Sequence, residues 1–348
     1  MARKRKGRVL DGVILLDKPK GMTSNFALQK VRRLLCAQKA GHTGSLDPLA
    51  TGVLPICLGE ATKFSRYLLD ANKGYITTAK LGDIRTTSDS EGESVLIQDV
   101  PPFSETQITD VLSRFKGQID QTPTMYSALK HNGKPLYEYA RQGITIDRPS
   151  RPITIFELEL LAQRPDELDL KVACSKGTYI RTLVEDIGQA VGCGAHVSML
   201  RRYQAGHFDL SQTVTMEELE SLSPGISRDD LSEDSSKVSE LFSKVDAFLL
   251  PADVLLPDLT KICLKTADVH SILMGQAVKI PASENPGLDV KQLVALYAEQ
   301  DFMKDIKPET RNGTGSGCID DQRSVFLGVA EYQADASLQP NRLITFPG

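Results

Sequence analysis

Apolar and polar positions follow two periods along the first two thirds of the chain. Gly12-Val-Ile-Leu-Leu-Asp-Lys-Pro19 is a short apolar run ending at a proline, the pattern of a buried strand running into a turn. Thr23 or Ser24 can cap the helix that follows, because Ala27, Val31, Leu34 and Leu35 share one face at i, i+4, i+7 and i+8. Residues 41–52 contain Gly41, Gly44, Pro48 and Gly52 and read as a loop. A helix is predicted over 60–70, a strand over 74–82, and an amphipathic helix over 104–115 with Ile108, Val111, Leu112 and Phe115 inward. Strands at 153–161, 168–175 and 195–203 surround a helix at 178–190, whose inward face is Ile180, Leu183, Val184 and Ile187. Residues 221–240 are rich in Ser, Asp and Glu and read as a solvated linker or irregular helical surface. Short β-like runs then recur around 262–265, 277–280, 291–297, 325–332 and 342–346, the signature of a small β-rich C-terminal domain. The segment 304–323, with Gly313, Gly315 and Gly317, reads as a flexible polar insertion. Strands and helices mix irregularly, so the predicted fold class is α+β and not a doubly wound sheet.

Composition narrows the classes. A chain of 348 residues predicts two domains, or three. Hydrophobic residues make up 41% and charged residues 25%, ordinary for a globular protein, and no apolar run approaches the ~20 residues of a membrane span. Met1 to Arg8 is basic with no long apolar core after it, so it reads as a flexible arm and not a secretory signal. The six cysteines (36, 57, 174, 193, 263 and 318) form no C-x-x-C pair, which argues against a zinc site or a disulfide scaffold and for a reducing compartment. The net charge of −4 hides an asymmetry: residues 1–209 hold 29 Lys+Arg against 23 Asp+Glu, and residues 210–348 hold 12 against 22. The first stretch can therefore attract a polyanion where its charge clusters. No G-x-G-x-x-G follows a strand and no G-K-[ST] loop occurs, which leaves nucleotide-cofactor chemistry without support.

The stretch that carries chemistry is Gly41-His42-Thr43-Gly44-Ser45-Leu46-Asp47-Pro48-Leu49-Ala50-Thr51-Gly52. An acid sits in a loop between glycines, and the proline after it restricts its backbone to extended geometry. Loops fixed on a rigid scaffold are where catalytic groups concentrate. Other runs stand at ordered spacing: Leu16-Asp-Lys18-Pro19-Lys-Gly21-Met-Thr-Ser24, Gly59-Glu-Ala-Thr-Lys63, Lys73-Gly-Tyr75, Tyr126-Ser-Ala-Leu-Lys130, Tyr137-Glu-Tyr-Ala-Arg141-Gln-Gly143, Ser175-Lys-Gly-Thr-Tyr179-Ile-Arg181-Thr182 and Gly194-Ala-His-Val-Ser-Met-Leu200-Arg201-Arg202. Together, over residues 9–215, these resemble the TruB-type tRNA pseudouridine synthases, bacterial enzymes named for uridine 55 in the T loop. One departure is visible. Where the family usually reads Thr-Asp-Thr ahead of an acid, this chain has Arg85-Thr86-Thr87-Ser88-Asp89, which puts a detailed role for that loop in doubt.

The resemblance implies a catalytic domain over 9–250, built on a mixed, mainly antiparallel sheet with flanking helices and carrying an RNA-binding insertion at about 123–151. A small β-rich, PUA-like RNA-binding domain would follow over 251–348. It implies isomerisation of uridine to pseudouridine without a cofactor: the C1′–N1 bond breaks, the base turns, and C5 is joined instead. Asp47 matches the nucleophile. Attack on C1′, attack on base C6 and promotion of elimination all remain open. Tyr75 matches the tyrosine against the target base, and Arg181 the cation that favours an ionised Asp47. Tyr179 and Leu200 match residues lining the uridine pocket, and His42 the one that contacts RNA as the loop opens. Basic Lys130, His131, Lys134, Arg141, Arg148 and Arg151 interleave with Tyr126, Tyr137 and Tyr139, a composition suited to gripping phosphates and stacking bases. Lys18, Lys130, Lys134, Arg141 and Arg202 are the RNA-contact candidates. The expected partner is the T arm of tRNA, with no metal, no membrane and no obligatory protein partner, in a cytoplasmic monomer. Two rival readings exist. One is an RNA-folding factor that only grips and releases tRNA, although Asp47, Tyr75 and Arg181 would be superfluous for that. The other is a two-carboxylate glycosidase, against which the key motif offers no second acid.

Overall fold

Strand β1 (Gly12–Lys18) shows why its sequence is continuously apolar: Ile14 and Leu16 face one buried cluster while Val13 and Leu15 face another. The computed structural model describes residues 6–231, 235–281, 287–299 and 324–346. After β1 come α1 (Ser24–Leu34), β2 (Ala40–His42), β3 (Thr51–Leu58), α2 (Ser65–Leu69), β4 (Lys73–Leu81), β5 (Asp83–Arg85), β6 (Ser94–Ile97), α3 (Glu105–Ser113) and β7 (Gly117–Gln121). The chain continues with β8 (Lys130–His131), β9 (Lys134–Pro135), α4 (Leu136–Ala140), β10 (Arg151–Arg164), β11 (Glu167–Cys174), α5 (Ile180–Val191), β12 (Ala195–Ala205), β13 (Phe208–Asp209), β14 (Val214–Thr215), α6 (Met216–Leu222) and α7 (Ser235–Asp246). Ten strands form one sheet in the order β14-β1-β3-β12-β4-β11-β10-β7, with β2 beside β3 and β13 beside β12. Only β1–β14 and β3–β12 pair in parallel, so the sheet is mixed and mainly antiparallel. The helices α1, α3 and α5 lend their apolar stripes (Ala27 and Val31; Ile108 and Leu112; Leu183, Val184 and Ile187) to one face.

The C-terminal unit holds β15 (Thr260–Leu264), α8 (Thr266–Leu273), β16 (Val278–Lys279), β17 (Leu293–Glu299), β18 (Ser324–Tyr332) and β19 (Ser337–Leu343), in a five-stranded sheet ordered β15-β17-β18-β19-β16. It packs on the other face of the main sheet. Phe64 meets Phe326 edge-on with centroids 5.2 Å apart, and the Tyr297 hydroxyl donates to Asp253 Oδ2 at 2.9 Å.

Three expectations change. Residues 221–240 are not all linker: α7 brings Val238, Phe242 and Val245 into the main core, a stripe whose inner two members lie beyond that window. Arg8 is no part of a free arm, because it is buried, stacks on Phe242 at 4.1 Å and donates to Asp246 Oδ1 at 3.0 Å. The helix over 60–70 is a 3₁₀ turn at Gly59–Lys63 followed by the short α2. The insertion 304–323 lies outside the described residues.

Candidate active site

The Asp47 loop is held from beneath. Leu46, Leu49 and Ala50 are buried, and Ser24 at the start of α1 both donates to the Leu46 carbonyl (2.9 Å) and accepts from its N–H (2.7 Å). Gly21 N–H donates to the Pro48 carbonyl at 2.8 Å, and Ala50 N–H to the Asp47 carbonyl at 3.0 Å. With its neighbours turned inward, the Asp47 side chain is left facing out of the loop, where 40% of it stays accessible. At the end of the loop Gly52 has φ +107°, and a Cβ there would lie 2.1 Å from the Arg202 carbonyl oxygen, so β3 can approach β12 only through a glycine.

Arg181, in the first turn of α5, meets Asp47 with Nε 3.0 Å from Oδ2. Its side chain is only 7% exposed, and its other nitrogens are occupied: Nη1 donates to the Thr87 carbonyl at 3.1 Å, and Nη2 to the Tyr126 carbonyl at 2.7 Å. Nη1 also lies 3.4 Å from Oδ2 of the buried Asp89. Asp89 is fixed in turn by the Thr87 hydroxyl at 2.6 Å and the Glu91 N–H at 3.1 Å. One cation thus serves two carboxylates. Burial pushes the Asp47 carboxyl above the ordinary aspartate range; Arg181 pulls it down, Asp89 pushes it up, and Lys18 pulls it down. Arg181 thus favours the ionised Asp47 as expected of a paired cation, but the net direction is upward because burial outweighs it. The carboxylate is accessible because it opens on hollows, yet protein surrounds it on its other sides.

Those hollows are two. The first, of about 400 Å³, is lined by Asp47, Tyr75, Tyr179, Ile180, Arg181 and Leu200 among others. The second, of about 680 Å³, includes His42, Asp47, Asp89, Glu91, Arg141 and Arg181. Asp47 and Arg181 stand in both. Tyr75 comes from β4, paired with Arg202 of β12 on one side and Val172 of β11 on the other. Burial raises its phenol, with the nearby Arg202 guanidinium pulling the other way, so the hydroxyl stays protonated at neutral pH and acts as a donor or a stacking ring. Burial lowers His42, helped by Arg202, so its imidazole is neutral near pH 7 and suits filling space better than binding phosphate.

Two RNA-contact candidates lie inside the protein, although Arg202 also borders the first hollow. Lys18 is fully buried, donates to the Pro19 (2.9 Å) and Met22 (2.6 Å) carbonyls, and burial lowers it to about 8. Arg202 is 1% exposed and donates from Nε to the Val53 carbonyl at 2.7 Å. Both tie loops together from inside, which a basic residue type in a motif cannot reveal. Lys130 and Lys134 are exposed on the β8–β9 hairpin, and Arg141 is exposed with its guanidinium 5.4 Å from the Tyr137 ring centre. Sequence reasoning assigned no role to Asp89 or Glu91, since both arrive from a loop some forty residues after Asp47. They bring to the site acids that the key motif itself lacks, but Asp89 is 2% exposed and bound by three groups, which suits holding Arg181 and not activating water. Among the described residues no cluster of His, Cys, Asp and Glu could hold a metal ion.

The class follows from comparison with known proteins. The description "TruB family pseudouridylate synthase (N terminal domain)" matches residues 32–180, and "tRNA pseudouridylate synthase B C-terminal domain" matches 181–257. A curated relative from Shewanella sp. (strain MR-7), named tRNA pseudouridine synthase B, is 46% identical over 344 residues, covering 99% of this chain and 97% of the relative. One from Shewanella sp. (strain W3-18-1) with the same name is 51% identical over 280 residues, covering 80% and 85%. A solved Cbf5-Nop10-Gar1 complex shares the fold, with TM-score 0.65, 23% identity and coverage of 99% and 91%. The protein is a pseudouridine synthase, hence an isomerase. More narrowly, the chain belongs to the TruB family.

Proposed function

We propose that the protein isomerises uridine 55 in the T loop of tRNA to pseudouridine, with Asp47 as nucleophile. The observation that carries this reading is Asp47 itself, an arginine-held carboxylate on the rim shared by two hollows. A base in a folded T loop is stacked, so it must be flipped out for chemistry at its sugar bond. The hollow of about 400 Å³ has the Tyr75 and Tyr179 rings and Leu200 to receive a flat uracil, and Asp47 at its edge to face the ribose. The carboxylate acts at C1′, at C6 of the base, or by promoting elimination, and each route needs it ionised beside the ribose–base junction. Arg181 favours that ionised form against the effect of burial and aims it. The uracil then turns in place, C5 bonds to C1′, the C5 proton leaves, and N1 takes a proton. Atoms in and out are identical, so no redox cofactor is needed.

Lys130, Lys134 and Arg141 are exposed beside the site and suit phosphate contacts on the T arm, while His42 fills space left by the flipped base. The same grip would assist tRNA folding. The β-rich C-terminal unit is read as a PUA-like second RNA contact, and the protein as a cytoplasmic monomer needing no protein partner. No helix among the described residues is long and apolar enough to cross a membrane.

The test is pseudouridine mapping of an unmodified tRNA transcript incubated with the purified protein, beside Asp47→Asn. One new pseudouridine at position 55, absent with the variant, supports the reading. A tRNA that binds but is not isomerised by the wild type would hand the lead to the folding-factor reading.

A further inference from the structure

Tyr179 is the N-cap of helix α5; its side chain makes no capping bond and lines the hollow assigned to the uridine. Tyr179 is extended (φ −100°, ψ 108°), so its N–H and C=O are presented as they are in a strand. Gln121 occupies the position a neighbouring strand would take. Its Oε1 accepts from the Tyr179 N–H at 2.8 Å, and its Nε2 donates to the Tyr179 carbonyl at 3.1 Å. That carbonyl also accepts the first helical bond from Leu183 N–H at 3.0 Å. Gln121 is 3% exposed and lines neither hollow. It is the last residue of β7, the edge strand of the main sheet, and it leads into the basic insertion. Five residues on, the Tyr126 carbonyl takes Nη2 of Arg181 at 2.7 Å. The root of the insertion therefore grips the start of α5 twice, once at the Tyr179 backbone and once at the Arg181 guanidinium.

We propose that Gln121 is a positioning residue for the isomerisation: it sets the first turn of α5 so that the Tyr179 ring meets the uracil and Arg181 meets Asp47. The proposal rests on the reading of Asp47, Tyr179 and Arg181 as site groups. A primary amide is suited to the task because it donates and accepts from one planar group. An apolar residue would leave the Tyr179 N–H without its acceptor in a partly buried place. The reacting groups would then be held by Tyr126 alone on this side, and a misplacement of about 1 Å can slow an enzyme roughly a hundredfold.

The experiment measures single-turnover isomerisation with enzyme in excess over a tRNA transcript, together with the RNA Kd. Gln121→Ala is expected to slow the reaction roughly tenfold to hundredfold, with Kd within about twofold, because Gln121 offers no surface to RNA. Gln121→Glu gives a readout that general loosening would not. At about pH 8 its carboxylate can accept from the Tyr179 N–H but faces the Tyr179 carbonyl without a proton, and the variant is slow. Once protonated it has the donor–acceptor pattern of the amide, so its rate relative to wild type should climb as pH falls towards about 5.5. Wild-type rates in both variants at about pH 8 overturn the proposal. So does a deficit fully matched by lost RNA affinity, or a Gln121→Glu ratio that is flat with pH. If Gln121→Ala fails to fold, the Gln121→Glu pH series decides. An inactive wild type would instead sink the functional reading, since the inference on Gln121 fails alone only when the wild type is active and its variants are unimpaired.

Discussion

Replacing Arg181 by lysine keeps the charge and removes the fork, which isolates what the geometry contributes. The guanidinium makes four contacts in four directions: Asp47 at 3.0 Å, Thr87 carbonyl at 3.1 Å, Asp89 at 3.4 Å and Tyr126 carbonyl at 2.7 Å. A lysine ammonium is a single point with three donors. Drawn to the two carboxylates, it abandons at least the Tyr126 carbonyl. Moving the charge from 3 to 4 Å from Asp47 weakens the attraction by about 1 kcal/mol at an effective dielectric near 20. A buried carbonyl stripped of a charged donor adds about 1.5–3 kcal/mol. Water from the adjoining hollows recovers part of that, so the expected loss of transition-state stabilisation is about 2–3 kcal/mol, roughly thirtyfold to two-hundredfold in rate. The assay is single-turnover isomerisation at saturating enzyme, well below the unfolding temperature of each protein, with RNA Kd measured in parallel. Arg181 is almost wholly covered, so Kd should hold within about threefold while the rate falls. A rate within about fivefold of wild type would refute the reasoning, because charge alone would then suffice.

Four further outcomes follow from the same geometry. Because Asp47 is pushed above the ordinary aspartate range, the acid limb of the rate–pH profile should lie above that range, and rate should fall as pH drops through it. Stability runs the other way: a carboxyl raised in the folded state favours folding below its unfolded pKa and loses that increment as pH rises through the folded one. Asp47→Asn should therefore be inactive yet no less stable than wild type near pH 7, and a lower urea midpoint for the variant would contradict this. Gly52→Ala forces a Cβ to 2.1 Å from the Arg202 carbonyl at φ +107° and should destabilise by about 2–4 kcal/mol, read from urea midpoints at constant m; an unchanged midpoint would refute the close approach. Lys130→Ala with Lys134→Ala should lower the salt-dependence slope of tRNA binding by about 1.5 and leave the saturated rate intact, whereas an unchanged slope removes the hairpin from the RNA interface.

The parts of the fold that were legible are those whose pattern is local. α1 and α5 could be read because Thr23 caps the first and both keep a 3.6-residue stripe, and β1 because both its faces are buried. The strands of the β8–β9 hairpin, with Asn132 and Gly133 at positive φ, are not placed by the sequence within the insertion at 123–151, because two-residue strands carry no alternation. α8 was missed among runs read as β. At the site, the family motifs pointed to Asp47, Tyr75, Tyr179 and Arg181, which the fold gathers around one hollow from β4, α5 and the loop before β3. Asp89 and the Gln121 amide were not legible as partners, since the one needs a loop return and the other a strand end meeting a helix start.

Burial also changes what the charge pattern means for RNA. The excess of six positive charges over residues 1–209 suggests a surface that draws in a polyanion. Yet five cations of that stretch, Arg8, Lys18, Lys73, Arg181 and Arg202, are buried, against one acid, Asp89, which leaves an excess of two for everything else in it. The buried cations spend their donors indoors: Lys73 on the Leu68, Leu69 and Ala71 carbonyls, Lys18 on those of Pro19 and Met22, Arg202 on those of Val53 and Gly44. Each pins a turn that borders the uridine hollow or the Asp47 loop. Part of the positive charge in the motifs is thus architectural: it still adds to the field of the stretch but spends its donors on carbonyls and not on phosphates. Phosphate contacts would then fall to exposed residues such as Lys130, Lys134 and Arg141, in the segment whose Tyr126 carbonyl takes the Arg181 that pairs with Asp47. That segment leads out of Gln121, and this is why a buried amide at its root can matter to the chemistry without touching RNA.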